Sequence, residues 1–246
     1  MAKTLILIPS RMAAIRLPGK PLLKINNLSI VSHVFKRAEE ANIGEVVVAT
    51  EDQEILTDVL KNGGRAILTS SDHKTGTDRI FEAYKKLDIK NVDYILNLQG
   101  DEPDINKDDI INLNNFMINQ DAEMGTLAAK IKDDKMLNNK NVVKVIVENK
   151  LEENNFPKAL NFTRENLSAS NKNIYHHIGI YSYKASVLEK LISLDQTNNE
   201  KKNKLEQLRA LDNNLKINVA LAKFSPIGVD TEEDYIDIKK IMEYKI

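Results

Sequence analysis

The 246-residue chain contains no cysteine, which excludes disulfide bonds, thiolate nucleophiles and cysteine-ligated zinc or iron–sulfur centres. No apolar run approaches the ~20 residues that cross a bilayer, and the N-terminal run is too short for a signal-peptide core. We therefore expect no membrane insertion and a cytoplasmic location. The formal net charge of −1 lacks the basic surplus of a non-specific nucleic-acid binder. An anion-binding site must then be a local cluster of cations.

The first hundred residues alternate short apolar runs with segments of helical periodicity. Short, continuously apolar runs are typical of strands that are covered on both faces. Repeated β-α-β units predict an α/β fold with a mainly parallel sheet flanked by helices. The predicted strands are residues 4–8, 45–50, 65–68 and 94–98, and the predicted helices are 30–41, 53–61 and 78–87.

The second half of the chain is more polar, and residues 151–173 read mainly as a loop with residues 196–203 as a polar linker. No internal repeat or Pro/Gly-rich hinge divides the chain, so we expect a single domain. Its core would comprise residues of about 1–103 and 218–246, and a smaller lobe for substrate and dimerisation would comprise about 104–217. Here the predicted strands are 124–131, 142–148, 159–163, 177–183 and 218–223, and the helices are 185–194, 204–211 and 231–243.

The loop after the first strand is rich in cations. Residues 5–21 read LILIPSRMAAIRLPGKP, so Arg11, Arg16 and Lys20 follow an apolar strand, with Gly19 before the lysine. In open α/β sheets ligands bind at the carboxyl ends of the strands, and guanidinium and ammonium groups suit phosphate oxygens. The loop is therefore either a polyanion site, such as a nucleoside triphosphate site, or a solvated loop with incidental cations. It does not match GxxxxGK[ST], which excludes a P-loop.

Two aspartates follow elements that could aim them at such a ligand. Asp101 comes after the strand at 94–98, where it is either a Mg²⁺ ligand or a residue that stabilises a turn before Pro103. Asp230 precedes Thr231, which can cap a helix together with Asp234 in a capping-box pair. If Thr231 is the cap, the Asp230 carboxylate is free to serve as a second metal ligand.

Two further polar groups have a structural and a functional interpretation. Residues 72–79, DHKTGTDR, are either a helix start capped by Thr77 or a surface for a nucleotide base or ribose. The second group lies in the predicted lobe and is either structural or binds a polyhydroxylated acid. There an arginine or histidine would take the carboxylate, and glutamate or glutamine would take the hydroxyls. Its members are Arg164, His177, Tyr181, Glu206, Gln207 and Arg209.

The motifs together resemble the 3-deoxy-manno-octulosonate (KDO) cytidylyltransferase family. The matching segments span residues 8–235 in the family's order: IPSRMAAIRLPGKPL, VVVATED, SSDHKTGTDR, LNLQGDEP, HHIGIYSY, KLEQLRAL and GVDTEEDY. The resemblance implies a nucleotide-diphospho-sugar transferase fold, a homodimer and the cofactor Mg²⁺. It also implies conversion of CTP and KDO into CMP-KDO and pyrophosphate, for lipopolysaccharide biosynthesis. The alternatives are a cytidylyltransferase for 8-amino-KDO or sialic acid, another nucleotidyltransferase of this fold, and a non-catalytic nucleotide-binding module.

The same resemblance implies roles for individual residues. Lys20, Asp101 and Asp230 would be catalytic, with the two aspartates as the Mg²⁺ ligands. The nucleotide would be bound by Ser10, Arg11, Arg16, Lys20, His73, Gly76, Thr77 and Arg79. The sugar acid would be bound by Gln99, Arg164, His177, Tyr181, Glu206 and Gln207. Where the family has Ser-Arg-x-x-Ile-Pro, residues 163–168 read TRENLS, so the proline that shapes the loop after Arg164 is absent.

Overall fold

The structure, a computed structural model, describes residues 2–13, 16–131, 133–167 and 172–244. The chain divides into two compact units: Met1–Ile111 with Pro226–Ile246, and Asn112–Ser225. Within the described ranges, no helix is both long enough and apolar enough to cross a membrane.

A four-stranded parallel sheet forms the centre of the first unit. Its strands lie in the order β6-β1-β4-β5, with every neighbouring pair parallel. Leu5, Ile6, Leu7 and Ile8 of the central strand are at most 1% exposed, which is why the run is apolar without alternation. The prediction of a mainly parallel sheet is thus confirmed. The strands of this unit are β1 (Thr4–Ser10), β2 (Lys24–Ile25), β3 (Leu28–Ser29), β4 (Gly44–Thr50), β5 (Ala66–Leu68) and β6 (Tyr94–Asn97), with β2 and β3 forming a separate hairpin.

The helices that start in this unit are α1 (Ile30–Glu40), α2 (Gln53–Lys61), α3 (Gly76–Leu87), α4 (Lys107–Asn119) and the last helix of the chain, Glu232–Glu243. Side-chain caps lie at the starts of α1, α3 and the last helix of this unit. The side chain of Thr75 caps α3 by accepting a hydrogen bond from Asp78 N, so the expected cap at Thr77 is wrong. Thr77 is instead the second residue of α3 and is buried. Thr231 and Asp234 form the predicted capping box at the last helix.

The second unit contains a mixed sheet in the order β11-β7-β10-β8-β9. Only the β11–β7 pair is parallel among these neighbours. A register shift between Ile178 and Tyr181 interrupts the pairing of β10 with β7. The elements are β7 (Met124–Ala129), α5 (Asp134–Leu137), β8 (Lys144–Val147), β9 (Ala159–Thr163), β10 (Ile174–Lys184), α6 (Ala185–Ser193), α7 (Asn198–Asn203), α8 (Gln207–Asp212) and β11 (Ile217–Leu221), and the Glu232–Glu243 helix is α9.

Several segments differ from the sequence prediction. Residues 196–203 are not a linker, because Thr197 caps α7 by accepting a hydrogen bond from Glu200 N. Lys204 then takes a left-handed conformation, with φ of 53°, and ends that helix. The following helix therefore begins at Gln207 rather than at residue 204. No element was predicted where β2, β3, α4 and α5 lie.

Candidate functional site

The cation-rich loop is held where it leaves β1. Met12 N donates a hydrogen bond of 2.7 Å to Asp52 Oδ2, just before α2. At the other end Gly19 adopts φ of 71°, which permits the 3₁₀ turn Lys20–Leu22 to follow at once. Pro21 is buried in that turn. The loop thus presents Lys20 from a fixed backbone, while residues 14–15 lie outside the described ranges.

Lys20, Asp101 and Asp230 come together in the first unit. The Lys20 ammonium donates to Asp101 Oδ2 at 2.7 Å and lies 3.4 Å from Asp230 Oδ1. Arg16 Nη2 lies 2.9 Å from the other oxygen of Asp230. The Lys20 side chain is 13% exposed, so this ion pair is less screened by water than a surface pair. Two carboxylates from distant parts of the chain therefore share one cation.

Local packing explains how the two aspartates reach that cation. Val229 N donates to Asp101 O at 2.9 Å, which joins the two aspartate segments through the backbone. Val229 is fully buried with Ile25, Ile30 and Ile238 in an apolar cluster. The capping box occupies Asp234 and Thr231, so the Asp230 carboxylate is available for Arg16 and Lys20.

A glycine brings the Asp101 segment close to the end of β1. A Cβ atom added at Gly100 would lie 2.8 Å from Pro9 O, closer than real Cβ atoms approach a carbonyl oxygen. A Cβ atom added at Gly76 would likewise meet Pro9 Cγ at 3.3 Å. Ser10, which follows Pro9, has a buried hydroxyl for which the described residues supply no hydrogen-bond partner. The segments of Gly76 and Gly100 both pack against the carboxyl end of β1.

The carboxylates at this site suit a Mg²⁺ ion only with further ligands. No group of three or more His, Cys, Asp or Glu side chains in the described parts of the chain could hold a metal ion by itself. Mg²⁺ in nucleotide enzymes is bound by one or two carboxylates together with phosphate oxygens and water. Because Asp101 and Asp230 already share the Lys20 ammonium, they are close enough to a common point to bind one cation. The donor set fits Mg²⁺ bound together with a polyphosphate.

Glu102 lies beside Asp101 but has a different environment. Burial, and then the neighbouring charge of Asp101, raise the pKa of Glu102 to about 8. Its Oε2 atom is buried and has no hydrogen-bond partner among the described residues. Glu102 is therefore a neutral acid at pH 7. No sequence pattern indicated this difference between two adjacent carboxyl groups.

The DHKTGTDR segment is fixed by contacts within the first unit. Arg79 is 3% exposed, pairs with Glu51 and donates to Thr69 Oγ1 at 2.7 Å. His73 pairs with Glu82, which also accepts a hydrogen bond from Ser70 N. Partial burial opposes ionisation of Glu82, yet hydrogen bonds from Lys86, His73 and Ser70 N lower its pKa to about 2.

These contacts divide the arginines that the sequence predicts to bind the nucleotide into one that is buried and two that are exposed. The guanidinium group of Arg79 is buried among protein partners and holds the segment in place. Arg11 and Arg16 are exposed. A direct contact between Arg79 and a nucleotide is therefore not what this geometry favours.

In the second unit, His177 and Tyr181 lie in one buried aromatic group. The His177 ring centroid is 5.0 Å from that of Phe162 and 5.4 Å from that of Tyr181. Burial, then the charges of His176 and Arg164, lower the pKa of His177 to about 3. The imidazole is accordingly neutral at pH 7.

Arg164 is held through backbone carbonyls. Its Nη1 donates to Lys140 O at 3.3 Å and to Asn141 O at 3.1 Å. Lys144 is fully buried, and no sequence pattern indicated a role for it; its Nζ donates to Arg164 O at 3.3 Å and to Asn139 O at 3.1 Å. Burial, then the charge of Arg164, lower the pKa of Lys144. Ser168, in the altered motif after Arg164, lies outside the described ranges.

The start of α8 is fixed by a buried ion pair. Glu206 is the N-cap residue of α8 and Gln207 is its first residue. Arg209, two residues further on, donates from Nε and Nη2 to the two oxygens of Glu200 at 2.8 and 2.6 Å. Gln99, the remaining predicted sugar ligand, belongs to the first unit.

Comparison with known proteins identifies similar chains over nearly the full length. The profile of a family described as cytidylyltransferase matches residues 5–217. The chain is 43% identical to a 3-deoxy-manno-octulosonate cytidylyltransferase of Rhodopseudomonas palustris (strain BisB18), covering 98% of each chain. It is 42% identical to the protein of that name from Nitrobacter hamburgensis, covering 98% of this chain and 93% of the other. A solved structure of CMP:2-keto-3-deoxy-manno-octonic acid synthetase complexed with CTP superposes with a TM-score of 0.90 at 34% identity, covering all of both chains.

Proposed function

Because the chain belongs to the cytidylyltransferase family, we propose that it activates the sugar acid KDO with CTP, giving CMP-KDO and pyrophosphate for lipopolysaccharide biosynthesis. Its fold is the α/β fold of a nucleotidyltransferase. The observation that carries the proposal is the convergence of Asp101 and Asp230 on the Lys20 ammonium at the end of a cation-rich loop.

The reaction needs charge neutralisation and alignment more than covalent chemistry. The anomeric hydroxyl oxygen of KDO forms a bond to the α-phosphorus of CTP, and the bond from that phosphorus to the bridging oxygen of the β-phosphate breaks. The hydroxyl proton passes to solvent, and pyrophosphate leaves with the bond electrons. Arg11, Arg16 and Lys20 supply cations for the phosphate oxygens. No nucleophilic side chain is required, which agrees with the absence of cysteine.

Asp101 and Asp230 would hold the Mg²⁺ ion, which supplies charge neutralisation at the phosphates and lowers the pKa of the attacking hydroxyl. Both carboxylates are paired with cations of the protein, so they are oriented before any ligand arrives. Lys20 can exchange a carboxylate oxygen for a phosphate oxygen without a change of backbone, because its ammonium is on a flexible stem.

The sugar-acid residues of the second unit supply complementary donors and acceptors. Both hydrogen bonds of Arg164 to described residues use Nη1, so the other nitrogens of its planar fork suit a carboxylate. Glu206 and Gln207 offer acceptors and donors for hydroxyl groups. His177 is neutral, and Tyr181 packs beside it. We assign the sugar carboxylate to Arg164 and the hydroxyls to the other residues.

One experiment tests the proposal directly. The protein is incubated with CTP, Mg²⁺ and KDO, and CMP-KDO is sought by mass while pyrophosphate release is followed continuously. We expect both products, and no product when UTP replaces CTP or when Mg²⁺ is chelated. Parallel reactions with 8-amino-KDO and sialic acid distinguish the acceptor. CTP binding without pyrophosphate release for any sugar acid would instead indicate a non-catalytic nucleotide-binding module.

The proposed enzyme is a homodimer, as the resemblance to its family implies. Light scattering of the purified protein tests this point. A mass near the 27.8 kDa of one chain would contradict it.

A further inference from the structure

Thr126 of β7 forms an unusual set of contacts with β10. Thr126 is fully buried. Its Oγ1 atom lies 2.7 Å from Ile180 O, 3.2 Å from Ile178 O and 3.0 Å from His177 Nε2. The register of the two strands shifts between Ile178 and Tyr181, and this irregularity turns both carbonyl oxygens toward the hydroxyl. One small side chain therefore bridges an interrupted ladder and an imidazole ring.

The hydroxyl has only one proton to donate. Carbonyl oxygens accept hydrogen bonds and cannot donate them, so the proton of Thr126 goes to Ile180 O, the nearer oxygen, or to Ile178 O. The hydroxyl of Tyr181 also interacts with Thr126, and it can donate its own proton to Oγ1. The third contact, with His177 Nε2, must then run in the other direction. Nε2 carries a hydrogen and donates it to Thr126 Oγ1. The tautomer follows from counting protons.

His177 has only one ring proton to place. Burial, followed by the charges of His176 and Arg164, keeps its pKa near 3, so the imidazole is neutral at pH 7. A neutral imidazole with a hydrogen on Nε2 has a bare lone pair on Nδ1. That nitrogen can accept a hydrogen bond but cannot donate one.

We propose that Thr126 is a positioning residue that fixes His177 in the Nε2–H tautomer, so that Nδ1 accepts a hydrogen bond from a hydroxyl group of the sugar acid. The inference rests on the proposed function. The sequence left open whether an arginine or a histidine binds the sugar carboxylate. The Nε2–H tautomer favours the arginine, because the lone pair of Nδ1 would repel a carboxylate. A hydroxyl is the ligand group that such a nitrogen recognises, and the carboxylate remains with Arg164.

Nuclear magnetic resonance tests the tautomer without any substrate. The chain has four histidines, so long-range ¹H–¹⁵N spectra of protein labelled with ¹⁵N-histidine resolve each ring, and a His177→Gln variant assigns its signals. We expect the Nε2–H pattern for wild-type His177 at pH 7. Thr126→Ser keeps the hydroxyl and should keep the pattern, whereas the isosteric Thr126→Val should lose it. Ser182→Ala is the matched control, since it removes a buried hydroxyl of β10 that has no hydrogen-bond partner among the described residues.

Steady-state kinetics tests the consequence. We expect Thr126→Val to raise the KM for KDO roughly tenfold, the factor that corresponds to about 1.4 kcal/mol of lost binding. The KM for CTP should stay within about twofold, as expected for a group that does not touch the nucleotide. Thr126→Ser should restore the KM for KDO, and Ser182→Ala should leave both constants unchanged.

Several results would overturn the inference. An Nδ1–H pattern for wild-type His177 refutes the tautomer, and this measurement does not require any variant to fold. Equal rises in the KM for KDO and for CTP, or a Thr126→Ser variant as impaired as Thr126→Val, would make Thr126 merely structural. Failure of the wild-type protein to form CMP-KDO would overturn the proposed function and the hydroxyl assignment together, while the spectra still decide the tautomer.

Discussion

The ion pair between Glu200 of α7 and Arg209 of α8 gives the sharpest stability prediction. The two side chains are 3% and 7% exposed and are joined by hydrogen bonds of 2.8 and 2.6 Å. Removing one partner deprives the other buried charge of both hydrogen bonds of this pair, which costs about 3 kcal/mol or more. For a chain of this size each kcal/mol lowers Tm by about 2–4 °C, so we expect Glu200→Leu or Arg209→Met to lower Tm by about 6–12 °C.

The double variant decides whether the pair is the cause. Replacing both partners by apolar residues of similar volume is often neutral, so Glu200→Leu with Arg209→Met should lower Tm less than either single change. Thermal unfolding followed by circular dichroism measures all three. Lys150→Met is the control, since the pair of Lys150 with Glu152 is 4.0 Å long and exposed and should contribute little. Single variants that shift Tm no more than the control, or a double variant whose loss equals the sum of the singles, would refute the reasoning.

Three further predictions concern the two candidate sites. Asp101→Asn should keep the fold, because the side chain is 32% exposed, but should lower pyrophosphate release by about 100-fold or more, and full activity would remove Asp101 from the site. Gly100→Ala should move the Asp101 segment, since the new Cβ atom would lie 2.8 Å from Pro9 O; a normal KM for CTP would contradict this. The pKa of His177 is lowered from 6.5 to about 3, so the unfolded state binds a proton that the folded state does not between those values. Stability should therefore fall by up to about 1.4 kcal/mol per pH unit below pH 6.5, and urea unfolding of His177→Gln should show a weaker dependence.

Local patterns predicted most of the first unit because its elements depend on local signals. Each of the strands β1, β4 and β6 contains a continuous apolar run whose residues are buried. The capping box of Thr231 and Asp234 is complete within four residues and was predicted from the sequence. Local signals of this kind can be recognised in a single sequence.

The missed elements depend on residues far along the chain. The sequence of α7 is polar and contains three asparagines, so it lacks an apolar stripe; its Glu200 is buried because Arg209 of α8 pairs with it. The α4 helix buries Leu113 and Met117, but asparagines between them weaken the periodicity. Local sequence patterns do not show a residue's tertiary contacts, such as the pairing of Glu200 with Arg209.

The cap of α3 was assigned to the wrong threonine for a related reason. Thr75 and Thr77 are both reasonable caps by composition. A Cβ atom added at Gly76 would lie 3.3 Å from Pro9 Cγ, so a glycine suits this tight position, and the helix begins there with Thr75 as its cap. The sequence therefore predicted the segment in which α3 begins, but not which of its two threonines caps the helix.

The candidate sites were predictable to different degrees. The position of Asp101 follows from sheet geometry, because it comes after a parallel strand that neighbours β1. The contact of Asp230 with the same lysine could not be predicted from local patterns. It depends on the hydrogen bond from Val229 N to Asp101 O, and only the resemblance to a family indicated it beforehand. The neutral state of His177 and that of Glu102 could not be predicted, since burial sets both.

The proposed nucleotide site contains equal numbers of paired cationic and anionic side chains. Arg16 and Lys20 are paired with Asp101 and Asp230, so two cations and two anions neutralise one another before a ligand binds. A triphosphate alone would compete with the aspartates for the cations and would meet their repulsion. Under the proposed function, Asp101 and Asp230 would hold a divalent cation together with the triphosphate, and Arg16 and Lys20 would then pair with the phosphates. If the proposed function is right, the nucleotide and the metal would strengthen each other's binding by linkage, and the aspartates would favour the metal complex of CTP over free CTP.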